Sequence, residues 1–246
     1  MATQLDQITQ NLRELVLEGA YEPGAAVREV AVAEKLGVSR TLTRLAMAAL
    51  EQDGLLLREP NRGFRVRSFT LDEVADAIEV RGELEALAAR QAAERGLSPA
   101  LAAQLRAILA EAEAVAQEGF KELSNRSRWI DLNCAFHSGI VEGSANKALA
   151  PALDHICRVP LAGPRAIVFN RTVPDQGIAQ LKAAHDDHVQ ILDAILNRQG
   201  QRAAALIREH AYRSGRNKRA NFDALQQTAV WPALPGVALV RRAGNE

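Results

Sequence analysis

Apolar residues recur at Leu5, Ile8, Leu12, Leu15 and Val16 with polar positions between them, a helical period that predicts a first helix over 5–18 with Gly19 as its stop. After a turn at Glu22-Pro23-Gly24, the run VREVAVAEKLG predicts a short second helix ended by Gly37. Ser39 then stands where a side-chain cap is wanted, and a third helix is expected from Arg40 to Asp53. Its inward face should carry Leu42, Leu45, Ala46, Ala49 and Leu50, with Gly54 ending it. The period then changes to two: Leu55 to Arg58, a turn over Pro60-Asn61-Arg62-Gly63, and Phe64 to Arg67 read as a β-hairpin.

Helix, helix, glycine-bearing turn, helix and hairpin in that order predict a winged helix-turn-helix domain. From Thr70 the texture becomes Ala/Leu/Glu-rich, and helices are expected at about 71–95, 99–118, 125–142, 145–158, a Pro/Gly-broken piece at 159–176, 178–198 and 201–219. Thr70 and Glu73 have the reciprocal spacing of a capping box, and Ser98-Pro99 opens the next helix. The expected fold is mainly α: a winged helix-turn-helix domain over 1–69, an all-helical bundle over 70–227, and a loose or docked tail over 228–246.

Composition narrows the function. The 246 residues carry 30 Lys+Arg against 30 Asp+Glu and are 48% hydrophobic, which argues against disorder and against a uniformly basic nucleic-acid coat. Two cysteines make no disulfide framework, so Cys134 and Cys157 are read as small apolar residues. No run of about 18 apolar residues is present, and the N-terminal dozen lack a signal pattern, so a cytoplasmic protein is expected.

Charge is nevertheless concentrated. At the start of the third helix stand Ser39, Arg40 and Thr41, with Arg44 one turn on. Hydroxyls there suit phosphates, and arginines suit guanine edges. Arg58, Arg62, Arg65 and Arg67 on the hairpin bring residues 40–67 to six arginines against Glu51, Asp53 and Glu59. Double-stranded DNA is the partner this pattern expects.

In the helical part, Asn133 and His137 are four apart on one helix face, while His188 and His210 sit in inward-facing helical patterns. They read either as core histidines or as a site for a divalent ion held by imidazoles. His185 lies on the side of His188, as a group behind the ligands or an alternative one; His155 is structural or exposed, and Asp131 faces elsewhere.

The stretch VREVAVAEKLGVSRTLTRLAMAALEQDGLL with its PNRGFRV wing resembles the DNA-binding domain of the GntR family of bacterial transcription regulators, in its FadR-like branch. The resemblance implies operator contacts from Ser39, Arg40, Thr41 and Arg44, with Arg62 and Gly63 at the wing tip. Leu42-Thr43 and Leu45 depart from its usual Pro-Val and Glu. Residues 71–215 are similar to the FCD effector domain, which implies a metal held by Asn133, His137, His188 and His210, with Asn133 standing where that pattern has Asp. Zinc is the expected ion, with nickel or manganese as alternatives.

The same resemblance puts Arg81 at the effector's carboxylate, against a surface pair with Glu85, with Arg165 as a second such arginine and His185 near the pocket. The Val159–Pro164 loop resembles the VanR-like subgroup. Together these imply a homodimeric repressor responding to a small organic acid. A metal-dependent enzyme and a metal-free regulator are the competing readings.

Overall fold

The structure is a computed structural model that describes residues 3–60, 63–118, 123–166, 174–226 and 234–242. It divides into two units: residues 1–74, 158–161 and 225–246 in one, and 75–157 and 162–224 in the other.

In the first unit, α1 (Gln4–Leu17) opens on a capping box in which Thr3 and Asp6 satisfy each other's backbone N–H groups. Its apolar stripe, Ile8, Leu12 and Val16, is buried, and the helix packs on α3. Helix α2 (Glu29–Leu36) ends at Gly37, whose φ of 65° is the left-handed turn a glycine adopts without strain. Ser39 then caps α3 (Arg40–Gln52) by accepting from Leu42 N at 3.3 Å, as the sequence predicts.

The buried stripe of α3 is Thr43, Ala46, Met47 and Leu50. Leu45, expected inward, is 49% exposed. Positions 43, 46, 47 and 50 follow the three-and-four helical spacing, and 45 falls off that face. Thr43 can be buried because its hydroxyl donates to the Ser39 carbonyl at 3.0 Å.

The wing is a three-stranded antiparallel sheet in the order β1 (Ala26–Val27), β3 (Gly63–Val66), β2 (Leu56–Glu59). The hairpin was legible from alternation; the two-residue β1 carries no alternation and was not expected. Asp53, nearly buried, receives both Arg13 and Arg158. Strand β4 (Phe69–Thr70) pairs in parallel with β5 (Val240–Arg241). Ahead of β5, Gly236 N donates to the Leu17 carbonyl at 2.7 Å, so the described part of the tail is docked on this unit.

Helix α4 (Leu71–Arg95) starts from the anticipated box: Thr70 N donates to Glu73 Oε2 at 2.7 Å, and Glu73 N donates to Thr70 Oγ1 at 3.1 Å. The second unit is built from most of α4 and from α5 (Pro99–Glu118), α6 (Leu123–Gly143), α7 (Leu149–Ile156), α8 (Pro174–Leu196) and α9 (Gly200–Gln226). Its core joins the alanines of α4 to Leu105, Phe136, Ile140, Ile191, Ile195 and Ile207. Small residues let helices approach closely: a Cβ on Gly82 of α4 would lie 2.7 Å from the Ala211 Cβ of α9. No described helix is long and apolar enough to cross a membrane.

Candidate metal centre and nucleic-acid interface

Ser39, Arg40, Thr41 and Arg44 are all exposed at the start of α3. Arg44 is held by Glu29 of α2 through Nε–Oε1 and Nη2–Oε2 contacts of 2.9 Å each, while Arg40 has no ion pair among the described residues. Arg62 lies outside the described residues; Gly63, at the wing, is exposed with φ of 85°.

The concentrated positive face expected over residues 40–67 is partly neutralised by pairing. Arg65 binds Glu59 and the Gly24 carbonyl, and Arg67 binds Glu73 while lying over the Phe69 ring, so both are tied into their own unit. Arg58 pairs with Glu51 across exposed surface. Such exposed pairs contribute little because water screens them, so Arg44 and Arg58 can exchange partners for phosphate or a base edge.

The second unit draws its histidines together through helical periodicity. Trp129, Asn133 and His137 follow one another at intervals of four on α6, as do Arg81 and Glu85 on α4 and His210, Ser214 and Lys218 on α9, so each set shares a face. One ring nitrogen from each of His137, His188 and His210 lies within 4.8 Å of the others. His188 Nε2 and His210 Nε2 are 3.3 Å apart, and Phe136 stacks on His188 with ring centroids 4.4 Å apart.

Carboxylates stand behind two of the three. Asp187 Oδ2 lies 3.2 Å from His210 Nδ1, and Glu85 Oε1 lies 3.2 Å from His137 Nδ1, off the line of a good hydrogen bond. A carboxylate behind Nδ1 fixes the ring and leaves Nε2 to face inward, the arrangement metal-binding histidines use. Burial pushes His188 well below the usual imidazole range, with His210 and His137 adding to it, and burial also lowers His210 against the pull of Asp187. Neutral imidazoles are the form that ligates, so this donor set fits a divalent ion of the zinc type.

Asn133 lines the same cavity, and its amide nitrogen donates to the Pro164 carbonyl at 2.9 Å, which leaves the amide oxygen as its possible ligand atom. Arg81, 2% exposed, also lines it; Nη1 donates to the Ala162 carbonyl at 2.5 Å and Nε lies 3.5 Å from Glu85 Oε2. The Arg81–Glu85 pair is thus buried and not on the surface. Burial pushes the Glu85 carboxyl up, but its neighbours His137 and Arg81 outweigh this and hold it at about 2.

The cavity measures about 320 Å³. Arg165 does not line it: it is exposed, 3.5 Å from Asp131, and borders a second cavity whose wall includes Cys134 and Cys157 and also His137 and Glu85. Those cysteines are free and half-buried, and burial raises both thiols, Cys157 to about 11. His185 is buried against Trp129 and outside the trio, and His155 is exposed.

Three participants escaped the sequence reading. Glu85 was weighed only as a surface partner, although its place just before the buried alanines of α4 marks it as interior. Asp187 is sequence neighbour to His188, but the imidazole it supports is that of His210. Lys218, 3% exposed in the polar run GRNKRAN, gave no local signal at all.

Comparison with known proteins supports both halves. Residues 4–66 match the family described as bacterial regulatory proteins, gntR family, and residues 76–213 match the FCD domain. An uncharacterized HTH-type transcriptional regulator of Bacillus subtilis, YdhC, is 31% identical over 150 residues, 61% of this chain and 65% of that protein. The HTH-type transcriptional repressor GlaR of Escherichia coli is 25% identical over 201 residues, 81% of this chain and 88% of that protein. Among solved structures, E. coli McbR/YncC aligns with a TM-score of 0.60 at 22% identity, over 92% of this chain and 99% of that one. That last likeness speaks for the fold. The VanR-like subgroup is not distinguished by these matches.

Proposed function

Because the chain belongs to the GntR family of bacterial transcription regulators and carries an FCD domain, we propose that it is a metal-dependent repressor whose operator binding is controlled by a small organic acid. Membership makes it a regulator and not an enzyme. The observation that carries the finer reading is the trio of buried histidines with Glu85 and Asp187 placed behind two of them. A core histidine needs one hydrogen-bond partner; three that turn their nitrogens on a common point, inside a cavity, suit an ion. The relative named as a repressor supports the sign of regulation.

Residues 1–69 would read DNA through Ser39, Arg40, Thr41 and Arg44, with Arg62 and Gly63 at the wing, and residues 70–227 would hold the ion, the acid and the dimer partner. Two copies are needed because half-sites about one helical turn apart require two recognition helices. His137, His188, His210 and the Asn133 oxygen would hold the metal, which supplies a Lewis-acidic point for a carboxylate, and Arg81 would receive the acid's second oxygen. The acid shifts operator affinity only to the extent that it binds the DNA-competent and released states unequally.

The test is selection of duplex DNA from a random pool at two salt concentrations, with metal analysis of the same sample. A pseudo-palindromic motif that persists at higher salt, about one divalent ion per chain, and loss of DNA binding on adding an acid are expected. Purified protein that takes up no ion would end the metal reading, and salt-sensitive binding without a motif would end the operator reading.

A further inference from the structure

The cavity beside the histidines holds more positive charge than its described carboxylates answer. Arg81 and Lys218 are both buried in its wall, at 2% and 3% exposure. Glu85 lies close to Arg81 and is the carboxylate whose charge also reaches Lys218. The acid that lines the wall, Asp187, is already taken by His210 and by Arg213, whose Nη1 donates to it at 2.8 Å. Among the described residues Lys218 makes a single hydrogen bond, to Ser214 Oγ at 3.1 Å, which leaves two further protons to donate. Arg81 Nε, fully buried, has no hydrogen-bond partner. A divalent ion among the imidazoles would add two more positive charges.

A buried ammonium without a counter-ion is costly, and a fold tolerates it where something arriving later pairs with it. Burial, with Arg81 adding to it, pushes Lys218 down to about 7. Position agrees. Lys218 is two helical turns beyond His210 on the same face of α9, about 12 Å along the axis, and helical side chains lean back toward the N-terminus, here toward the imidazoles.

We infer that Lys218 is the specificity residue for a second anionic group, so that the effector is a compact dicarboxylate which places one carboxylate at the metal and Arg81 and the other on Lys218. This rests on the acid-effector reading above and narrows it. A monoacid would leave Lys218 unanswered, and a neutral ligand would leave both cations so.

The test uses the full-length, zinc-loaded protein in titration calorimetry with malonate, succinate and glutarate, each beside its half-amide, and with acetate. A half-amide keeps the shape and removes one charge. In at least one pair the diacid is expected to bind about tenfold or more tightly than its half-amide, the size of a charge-assisted hydrogen bond. That ratio should fall to near one in Lys218→Met and persist in Lys218→Arg, with zinc content unchanged in both.

A ratio near one in the wild type, with acetate and half-amides binding as well as diacids, overturns the dicarboxylate proposal and leaves the acid reading standing. If no acid binds, the acid reading itself fails and this one with it. A lower melting temperature for Lys218→Met, or loss of its zinc, would make Lys218 a structural residue and overturn its role. A lysine kept for a ligand should give the opposite, a more stable variant in the absence of acid.

Discussion

Arg44 of the recognition helix and Glu29 of the helix before it grip each other through two parallel 2.9 Å contacts. That fork fixes the guanidinium's direction before DNA arrives, and it holds the Glu29 carboxyl below its ordinary range, chiefly through the Arg44 hydrogen bond. Glu29→Gln should release Arg44, bring affinity for random duplex up several-fold and narrow the gap between operator and random sequence. Arg44→Ala should cost about 1–3 kcal/mol at the operator alone. Fluorescence anisotropy with both duplexes at two salt concentrations reads this; equal losses of Arg44→Ala on operator and random DNA would reduce the residue to a phosphate contact.

The carboxylate behind His210 gives a graded expectation for the metal. His137→Ala or His210→Ala removes one of the three imidazoles that would hold the ion and should abolish stoichiometric zinc. Asp187→Asn keeps all three imidazoles and should weaken zinc about 10–100-fold. Competition with a coloured chelator measures both, and an Asp187→Asn protein with wild-type affinity would mean that the 3.2 Å contact does not orient the ring.

Lys218 makes stability depend on pH in an unusual direction. Its folded-state value is about 7 against an ordinary 10.5, so between those limits the unfolded chain binds more protons and folding becomes more favourable as pH rises. Below about 7 the full penalty of a buried ammonium is present; near 10.5 it is gone. Ligand-free Lys218→Met should therefore exceed the wild type by a few kcal/mol at pH 6, at about 1.4 kcal/mol per tenfold change in proton affinity, and the gap should close toward pH 10. The groups near Lys218 that enter the comparison are Arg81, Glu85 and Cys157. Urea midpoints across that range decide it, and a gap that does not vary with pH would assign the difference to packing.

Gly82 sits where α4 meets α9, with no room for a methyl group: its Cβ would be 2.7 Å from that of Ala211. Alanine is the better helix former by about 1 kcal/mol, but prising two helices apart costs about 1–3 kcal/mol, so Gly82→Ala should be net destabilising. Adding Ala211→Gly should recover most of the loss. If Gly82→Ala alone raises the urea midpoint, the two helices are not in contact as described.

Local features were legible because their causes are local. The Ser39 cap, the Thr70–Glu73 box and the 56–66 hairpin each need only residues within a few positions of one another. Leu45 is apolar, which suggests the inward face, but its angle on the helix puts it off the stripe of Thr43, Ala46, Met47 and Leu50. Strands β1, β4 and β5 have no sequence signal because two residues have no period. The histidines could be picked out as a set through a family's spacing. Glu85 and Asp187 could not, since what makes them part of the site is a neighbour 52 residues away for one (Glu85 to His137) and 23 for the other (Asp187 to His210). Lys218 is the extreme case: nothing in its surrounding sequence distinguishes it from the exposed arginines beside it.

The pairing of Phe69 with Val240 bears on how the protein is made. The unit that begins at the N-terminus is finished by residues from the far end of the chain and by the short return at 158–161, where Arg158 reaches Asp53. A nascent chain therefore emerges with α3 early and β5 some 190 residues later. During that interval the edge of β4 and the buried face of Phe69 wait for a partner, while the helical unit can complete itself in between. The unit that carries the recognition helix is thus closed by a segment that follows the whole helical unit in sequence.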